Sequence, residues 1–399
     1  MISDIRKAYN QAFSQQAYEA MMEWIAEECD GYRVTFRVAE TPIFIPASLR
    51  DQLIKACNEL VATLVKPDFL EKSLSALLPG QTSPNETAHT NFLVVDFGIC
   101  HGENGEIIPQ LVEIQGFPSL YLYQPLLARA YRKFFDIPQG FTTFFNNLEE
   151  GAYTEKVQQT IIGDCRPENV ILLEIDPIKQ NTAVDFVATK KALGIDYVCI
   201  SDLRVSGRQV YYEKDGKKIP VDRIYNRIIF DELERRPDLA RVFDFTEDYD
   251  VQWAGHPNWF FRISKHTLPL FNSKYVPTSH YLHTLTHIPD DLDNYVLKPL
   301  YSFAGSGVNV HPTLADIEAI ADKDRPYYIL QQKMHYASVI ETPTEPAKCE
   351  VRMMLLWPDD ATRPELAISL VRLSKGEMVG VRFNKNKDWV GSSAAFFER

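Results

Sequence analysis

Three oxygen-bearing side chains fall close together early in the chain: Asp96, then Glu113 and Gln115 two residues apart. The segment NFLVVDFGI reads as a strand, HGENGE carries an Asn104-Gly105 turn, and IIPQLVEIQ reads as the returning strand. Side chains alternate along a strand, so Glu113 and Gln115 share a face. Hard oxygen donors on adjoining strands suit Mg²⁺, an ion that is commonly shared with phosphates. The same pattern also suits plain solvent-facing residues of a half-exposed sheet.

A second group comes later. In YVLKPLYSFAGSGVNV, Lys298 ends an apolar strand, and a loop with Gly305, Ser306 and Gly307 follows. A lysine and a turn of backbone N–H groups can hold a triphosphate. It is not a Walker A loop, because no GKS or GKT opens a helix. An ordinary hairpin turn would read the same way. Lys265 in FFRISKHTLPLF reads on composition as a surface lysine. Arg227 in IYNRIIF and Arg372 in SLVRLSKG each follow apolar strand residues. Each suits either a bidentate carboxylate clamp or a structural ion pair. His280, His283 and His287 sit at helical spacing in SHYLHTLTH, with no cysteine or carboxylate among them to complete a zinc site. No G-x-S-x-G elbow supports a serine hydrolase.

These residues need a scaffold. Residues 3–29 carry apolar positions at helical spacing, and a second helix is expected from about Ala47 to Leu64. Residues 119–147, rich in aromatics, are expected to be helical. NVILLEI, a helix over 181–193 and a strand over 197–200 form a parallel βαβ unit. QVYYEKDGKKI reads as a hairpin with an Asp215-Gly216 turn. Strands follow at 295–298 and 328–332, and antiparallel sheet is expected in the last fifty residues. The βαβ unit lacks G-x-G-x-x-G after its first strand, where IDPIKQN stands, which argues against a Rossmann dinucleotide enzyme.

At 399 residues the chain exceeds one compact core. Its net charge of −12 disfavours a nucleic-acid partner. Six cysteines lie far apart with no CxxC pair, which suggests reduced thiols and a cytoplasmic protein. No apolar h-region follows the start MISDIRKAYNQ, and no 18-residue apolar run suggests a membrane span.

Taken in order, the pieces resemble the circularly permuted ATP-grasp ligases. The likeness is greatest to the eukaryotic-type glutathione synthetases and glutathionylspermidine synthase-like proteins. It runs over about residues 91–399 as a series of short motifs. It implies an α/β (α+β) ATP-grasp fold with an inserted parallel βαβ substrate domain. The expected parts are an N-terminal helical segment over 1–90, the first part of the ATP-grasp sheet over 91–165, a substrate-side domain over 166–264, and the ATP-binding subdomains over 265–399. It also assigns roles. Asp96, Glu113 and Gln115 would hold Mg²⁺. Lys265, Lys298 and the Gly305–Gly307 loop would hold the ATP phosphates. Tyr328-Ile329-Leu330-Gln331-Gln332-Lys333, with Met334, resembles the adenine hinge, and Lys333 would reach back to the nucleotide. Glu350 would touch the nucleotide. Arg227 and Arg372, with the DWVGSSA loop, would meet a small-molecule carboxylate and amine. The implied activity is ATP- and Mg²⁺-dependent carboxylate–amine ligation in a monomer or homodimer, or, as the alternative, regulatory ATP binding without catalysis. Three departures bear on substrate: Gln115 stands where the family has Asn, Ala304 and Ser306 thin the glycine loop, and Val94-Val95 replace an arginine expected just before the aspartate.

Overall fold

The structure is a computed structural model, and it describes residues 1–301, 306–379 and 384–399. Its centre is a five-stranded antiparallel sheet. The order is Gly391–Ser393, Glu365–Ser374, Lys348–Leu356, Phe92–His101, Ile107–Gln115. The expected hairpin is therefore present, and a late strand lies directly beside it. Alternation then sorts the side chains. Leu93, Val95, Phe97, Val351, Met353, Val371 and Leu373 face one way, against Leu49, Leu53, Ala56 and Leu60 of the helix Ala47–Leu64. Phe92, Val94, Met354, Ile368 and Leu370 face the other way, over Leu126, Leu127 and Ala130 of the helix Tyr123–Phe134. Further along that second face the same alternation delivers Asp96, Glu113, Glu350, Arg352 and Arg372. Half of the face is thus apolar core, and the other half is charged.

A four-stranded parallel sheet is built from Gln252–Ala254, Arg223–Asn226, Val170–Glu174 and Asp196–Cys199. The expected βαβ unit forms half of it, with the helix Ala183–Leu193 as the crossover. The hairpin Gln209–Lys214/Lys217–Pro220 turns at Asp215 and Gly216, both with positive φ, 50° and 72°. That is the backbone an Asp-Gly hairpin turn requires. A three-stranded sheet of Ser279–Tyr281, Tyr328–Gln332 and Tyr295–Pro299 completes the walls of the site.

Four expectations change. The 3–29 helix is two helices, Ser3–Ala12 and Gln15–Glu28, because Ser14 leaves the helical conformation and its side chain accepts from the Ala17 N–H. In 119–147 only Tyr123–Phe134 is helical, since Pro138 and Gly140 interrupt and Asn146 and Asn147 take positive φ. The helix Glu150–Ile162, closed by Gly163 at φ 58°, was not anticipated. SHYLHTLTH is not a helix: Ser279–Tyr281 pairs as an edge strand with Tyr328–Gln332, and Leu282–Thr284 is a 3₁₀ turn. His283 and His287 are exposed there, and no group of three His, Cys, Asp or Glu among the described residues is arranged to hold a metal ion. None of the helices described is long and apolar enough to cross a membrane.

The helix Ala47–Leu64 backs the charged face without touching it, which gives a control. Leu53 is fully buried, and Leu53→Ala should cost about 2–5 kcal/mol in urea denaturation. Ligand affinity at the opposite face should stay unchanged per folded molecule.

Candidate active site

Asp96 is the centre of the charged face. It lies opposite Arg352 on one side and opposite Glu113 on the other. Its carboxylate is 1% exposed. Arg352 grips it in bidentate fashion, Nε to Oδ1 and Nη2 to Oδ2, both at 2.6 Å. Arg372 Nη2 donates to Oδ2 at 2.6 Å and lies 3.1 Å from Glu350. Burial alone would raise the Asp96 carboxyl, but the two guanidinium groups more than reverse this and hold it well below the usual carboxylate range. Glu350 sits opposite Arg372, and Tyr336 donates its hydroxyl to Glu350 Oε1 at 2.5 Å. A side chain at Gly98 would collide with the Tyr336 ring, so glycine is what lets Tyr336 lie there. Glu113 accepts from Gln115 Nε2 at 3.0 Å, and Arg352 Nη2 is 3.8 Å away.

The two lysines reach the same place from another part of the chain. Lys298 is buried in the three-stranded sheet, where its ammonium donates to Gln331 Oε1 at 2.5 Å and to the Val112 carbonyl at 3.3 Å. Burial pulls its pKa from 10.5 down to about 8, and Glu113 only partly offsets this. Lys265 opens the 3₁₀ helix Lys265–Leu270 behind Ser264, which caps it. It is buried rather than a surface lysine, and its pKa is lowered by burial against the pull of Glu113. Both lysines therefore feel the carboxylate of the early hairpin. Asp96, Glu113 and Glu350 are three carboxylates against four cations, Arg352, Arg372, Lys265 and Lys298. Arg372 Nε and Gln331 Nε2 are buried without a hydrogen-bond partner among the described residues. A surplus cation and unpaired donors favour an anionic ligand.

Arg227 lies in a neighbouring polar pocket. It is 7% exposed, with its guanidinium over the rings of Phe117 and Phe186 at 5.1 and 5.6 Å. Its Nε and Nη1, the Tyr225 hydroxyl and Asp185 Oδ2 are buried without partners among the described residues. Burial raises the Asp185 carboxyl, and Glu174 nearby is raised to about 8. The charges of Arg352 and Arg227 both act on the buried Tyr121.

Comparison with known proteins bears on this arrangement. No family model matches the chain, and no curated protein matches it. Among solved structures, it is similar to a glutathione synthetase-like effector from Globodera pallida in its apo form. The TM-score is 0.59 at 11% identity, over 98% of this chain and 97% of that one. The fold is glutathione synthetase-like. At this identity the likeness speaks for the fold alone, so roles must rest on the residues.

On this glutathione synthetase-like fold the other expected residues are placed as follows. The Gln332 and Lys333 amides are paired with the Thr278 and Asn294 carbonyls. Lys333 Nζ donates to the Asp293 carbonyl at 2.6 Å. Met334 follows, half-buried. Ser306 and Gly307 are exposed, Gly307 with φ 71°, whereas Gly305 lies outside the described residues. The DWVGSSA segment is no free loop. Trp389 is buried against Phe13 with its N–H on Glu40, and Gly391–Ser393 is the edge strand of the central sheet. The sequence reading missed Arg352, Tyr336 and Asp185, and took Gln331 only as part of the hinge motif. Arg352 was within reach: it is two residues from Glu350, hence on the same face of the strand.

The expected magnesium triad does not fit. Both Asp96 oxygens already accept from guanidinium groups, three hydrogen bonds in all, so Asp96 anchors the arginines first and a metal would have to compete with them. What remains is one carboxylate and one amide, Glu113 and Gln115, beside Arg352.

Two outcomes follow. Asp96→Asn strips the buried Arg352 and the partly exposed Arg372 of their counter-charge and should cost about 3–5 kcal/mol in urea denaturation. A loss under about 1 kcal/mol would place Asp96 among ordinary surface pairs. Second, Lys298 carries a depressed pKa, so the burial penalty on its charge is full below about pH 8 and fades towards 10.5. A bound anion needs the charged form. ADP affinity, measured by calorimetry, should therefore be level up to about pH 8 and then fall by up to about tenfold per unit. Lys298→Met should flatten that profile.

Proposed function

We propose that this chain is an ATP-dependent carboxylate–amine ligase built as a circularly permuted ATP-grasp. The observation that carries the reading is the approach of Lys298, from the three-stranded sheet, to the strand of Glu113, where its ammonium donates to the Val112 carbonyl at 3.3 Å, with the Lys265 charge also acting on Lys298. In this reading the nucleotide phosphates lie against the two lysines and the surplus positive charge of the sheet face. Residues 265–399 and 91–165 would hold the nucleotide, residues 166–264 would present the substrate, and residues 1–90 would brace both. The cytoplasm, with its ATP, suits such an enzyme.

The chemistry asks the chain mainly for positioning and charge. A substrate carboxylate, held by Arg227, attacks the γ-phosphorus of ATP, and ADP leaves. Lys298 and Lys265 stabilise the charge spreading over the transferred group. The amine then attacks the acyl phosphate carbon, loses a proton, and expels inorganic phosphate. Arg372, fixed between Asp96 and Glu350, is the donor facing the oxyanion of that second step. No step is routed through a metal, because the expected triad does not offer one.

A second reading is a nucleotide-binding protein without turnover. The engagement of Asp96 by Arg352 and Arg372 favours it, since that carboxylate already accepts three hydrogen bonds from guanidinium groups. Incubation of the chain with ATP and a panel of amino acids, γ-glutamyl peptides and polyamines separates the two. The ligase reading expects ADP and phosphate in equal amounts with one pair of substrates, and Lys298→Ala should lower that rate by roughly a hundredfold or more. Nucleotide binding with no ADP across the panel would leave the regulatory reading standing.

A further inference from the structure

We propose that Arg352 is a built-in cation on the acidic face, and that a nucleotide di- or triphosphate binds there without a divalent metal. This rests on the reading that a nucleotide occupies the cleft. Asp96 and Glu113 face one another across a strand pair, close enough for their carboxyls to hydrogen-bond, and with both ionised the pair repels itself unless a cation stands by it. In many phosphate sites that cation is Mg²⁺. Here one guanidinium does the bridging, 2.6 Å from each Asp96 oxygen and 3.8 Å from Glu113. It is hard to displace. Arg352 is 9% exposed at its side chain, and its Nε and Nη2 are both committed to Asp96 in the geometry that makes guanidinium–carboxylate pairs strong. An incoming ion would have to break both bonds and then sit beside the freed positive charge.

The remaining groups agree. Arg372 adds a second guanidinium on the same carboxylate, and Lys298, 3.3 Å from the carbonyl of Val112, brings its ammonium in beside Glu113 from the three-stranded sheet. Every carboxylate on the face therefore already has a cation near it, and the surplus is positive. Such a face takes a phosphate directly. The buried Arg372 Nε and Gln331 Nε2 are donors still open to a ligand oxygen, having no partner among the described residues.

The test is calorimetric titration of the full chain with ADP, and separately with inorganic tripolyphosphate, in EDTA and in MgCl₂. The expected result is an affinity that differs by no more than about threefold between the two media. Arg352→Lys, which keeps the charge, should preserve that indifference. Arg352→Met should weaken binding in EDTA by about tenfold or more, with MgCl₂ restoring it as Asp96 and Glu113 become available to the ion. If Arg352→Met fails to fold, the wild-type and Arg352→Lys titrations decide. Wild-type binding that is tenfold or more tighter in MgCl₂ overturns this proposal and leaves the nucleotide reading intact. So does an Arg352→Met chain that binds in EDTA as the wild type does. Absence of binding in both media overturns the proposal and the nucleotide reading together.

Discussion

The pairing of one buried carboxylate with two arginines fixes the rest of this site. Asp96 is almost wholly shielded from water, so its charge is tolerable only with close partners. Those partners come from two strands far along the chain, Arg352 being 256 positions away. The demand therefore acts on register. A slip of one residue between Phe92–His101 and Lys348–Leu356 would send Asp96 into the apolar layer with Val351 and Met353, and would send Val95 to the charged side. The ion network and the hydrophobic alternation specify the same alignment, each reinforcing the other.

From that fixed face the second wall follows. The three-stranded sheet turns Lys298, Ile329 and Gln331 inward, with Leu297 and Leu330 packing on its other side. Lys298 is anchored to Gln331 and to the Val112 carbonyl, next to a register shift in the hairpin. Such irregularities re-aim a strand locally. The carbonyl of Val112 meets the lysine there, while Glu113 stays on the charged face.

Much of this was legible before the fold was known. The hairpin around Asn104-Gly105, the βαβ unit and the helix Ala47–Leu64 follow from alternation, turn chemistry and helical spacing, all local properties. Glu113, Lys265, Lys298, Glu350 and Arg372 were named through the order of motifs, and the structure sets Arg372 against Glu350 and brings Lys298 to the strand that carries Glu113. What stayed hidden depended on pairings between distant strands. Asp96 looked like a metal ligand because its spacing to Glu113 says nothing of the arginines that reach it from Lys348–Leu356 and Glu365–Ser374. The SHYLHTLTH segment looked helical because periodicity does not register the strand Tyr328–Gln332 waiting to pair with it. DWVGSSA looked like a free loop because its glycine and serines do not announce the edge strand they form.

The energetics of the cleft point one way. Lys298 is held in its charged form against a burial penalty, Arg227 has two buried guanidinium nitrogens unpaired, and Asp185 and Glu174 are carboxyls raised by burial. Each is a cost to folding that apolar residues of similar size would avoid. Asp96 differs, since its partners satisfy it within the protein. The molecule thus carries one charged cluster that is internally balanced and, around it, groups whose balance requires something from outside. Such unrelieved polar groups tend to gather where binding takes place. Here they fall into two groups, Lys298 with Arg372 Nε and Gln331 Nε2 at the charged face, and Arg227 with Asp185 and the Tyr225 hydroxyl beside the rings of Phe117 and Phe186.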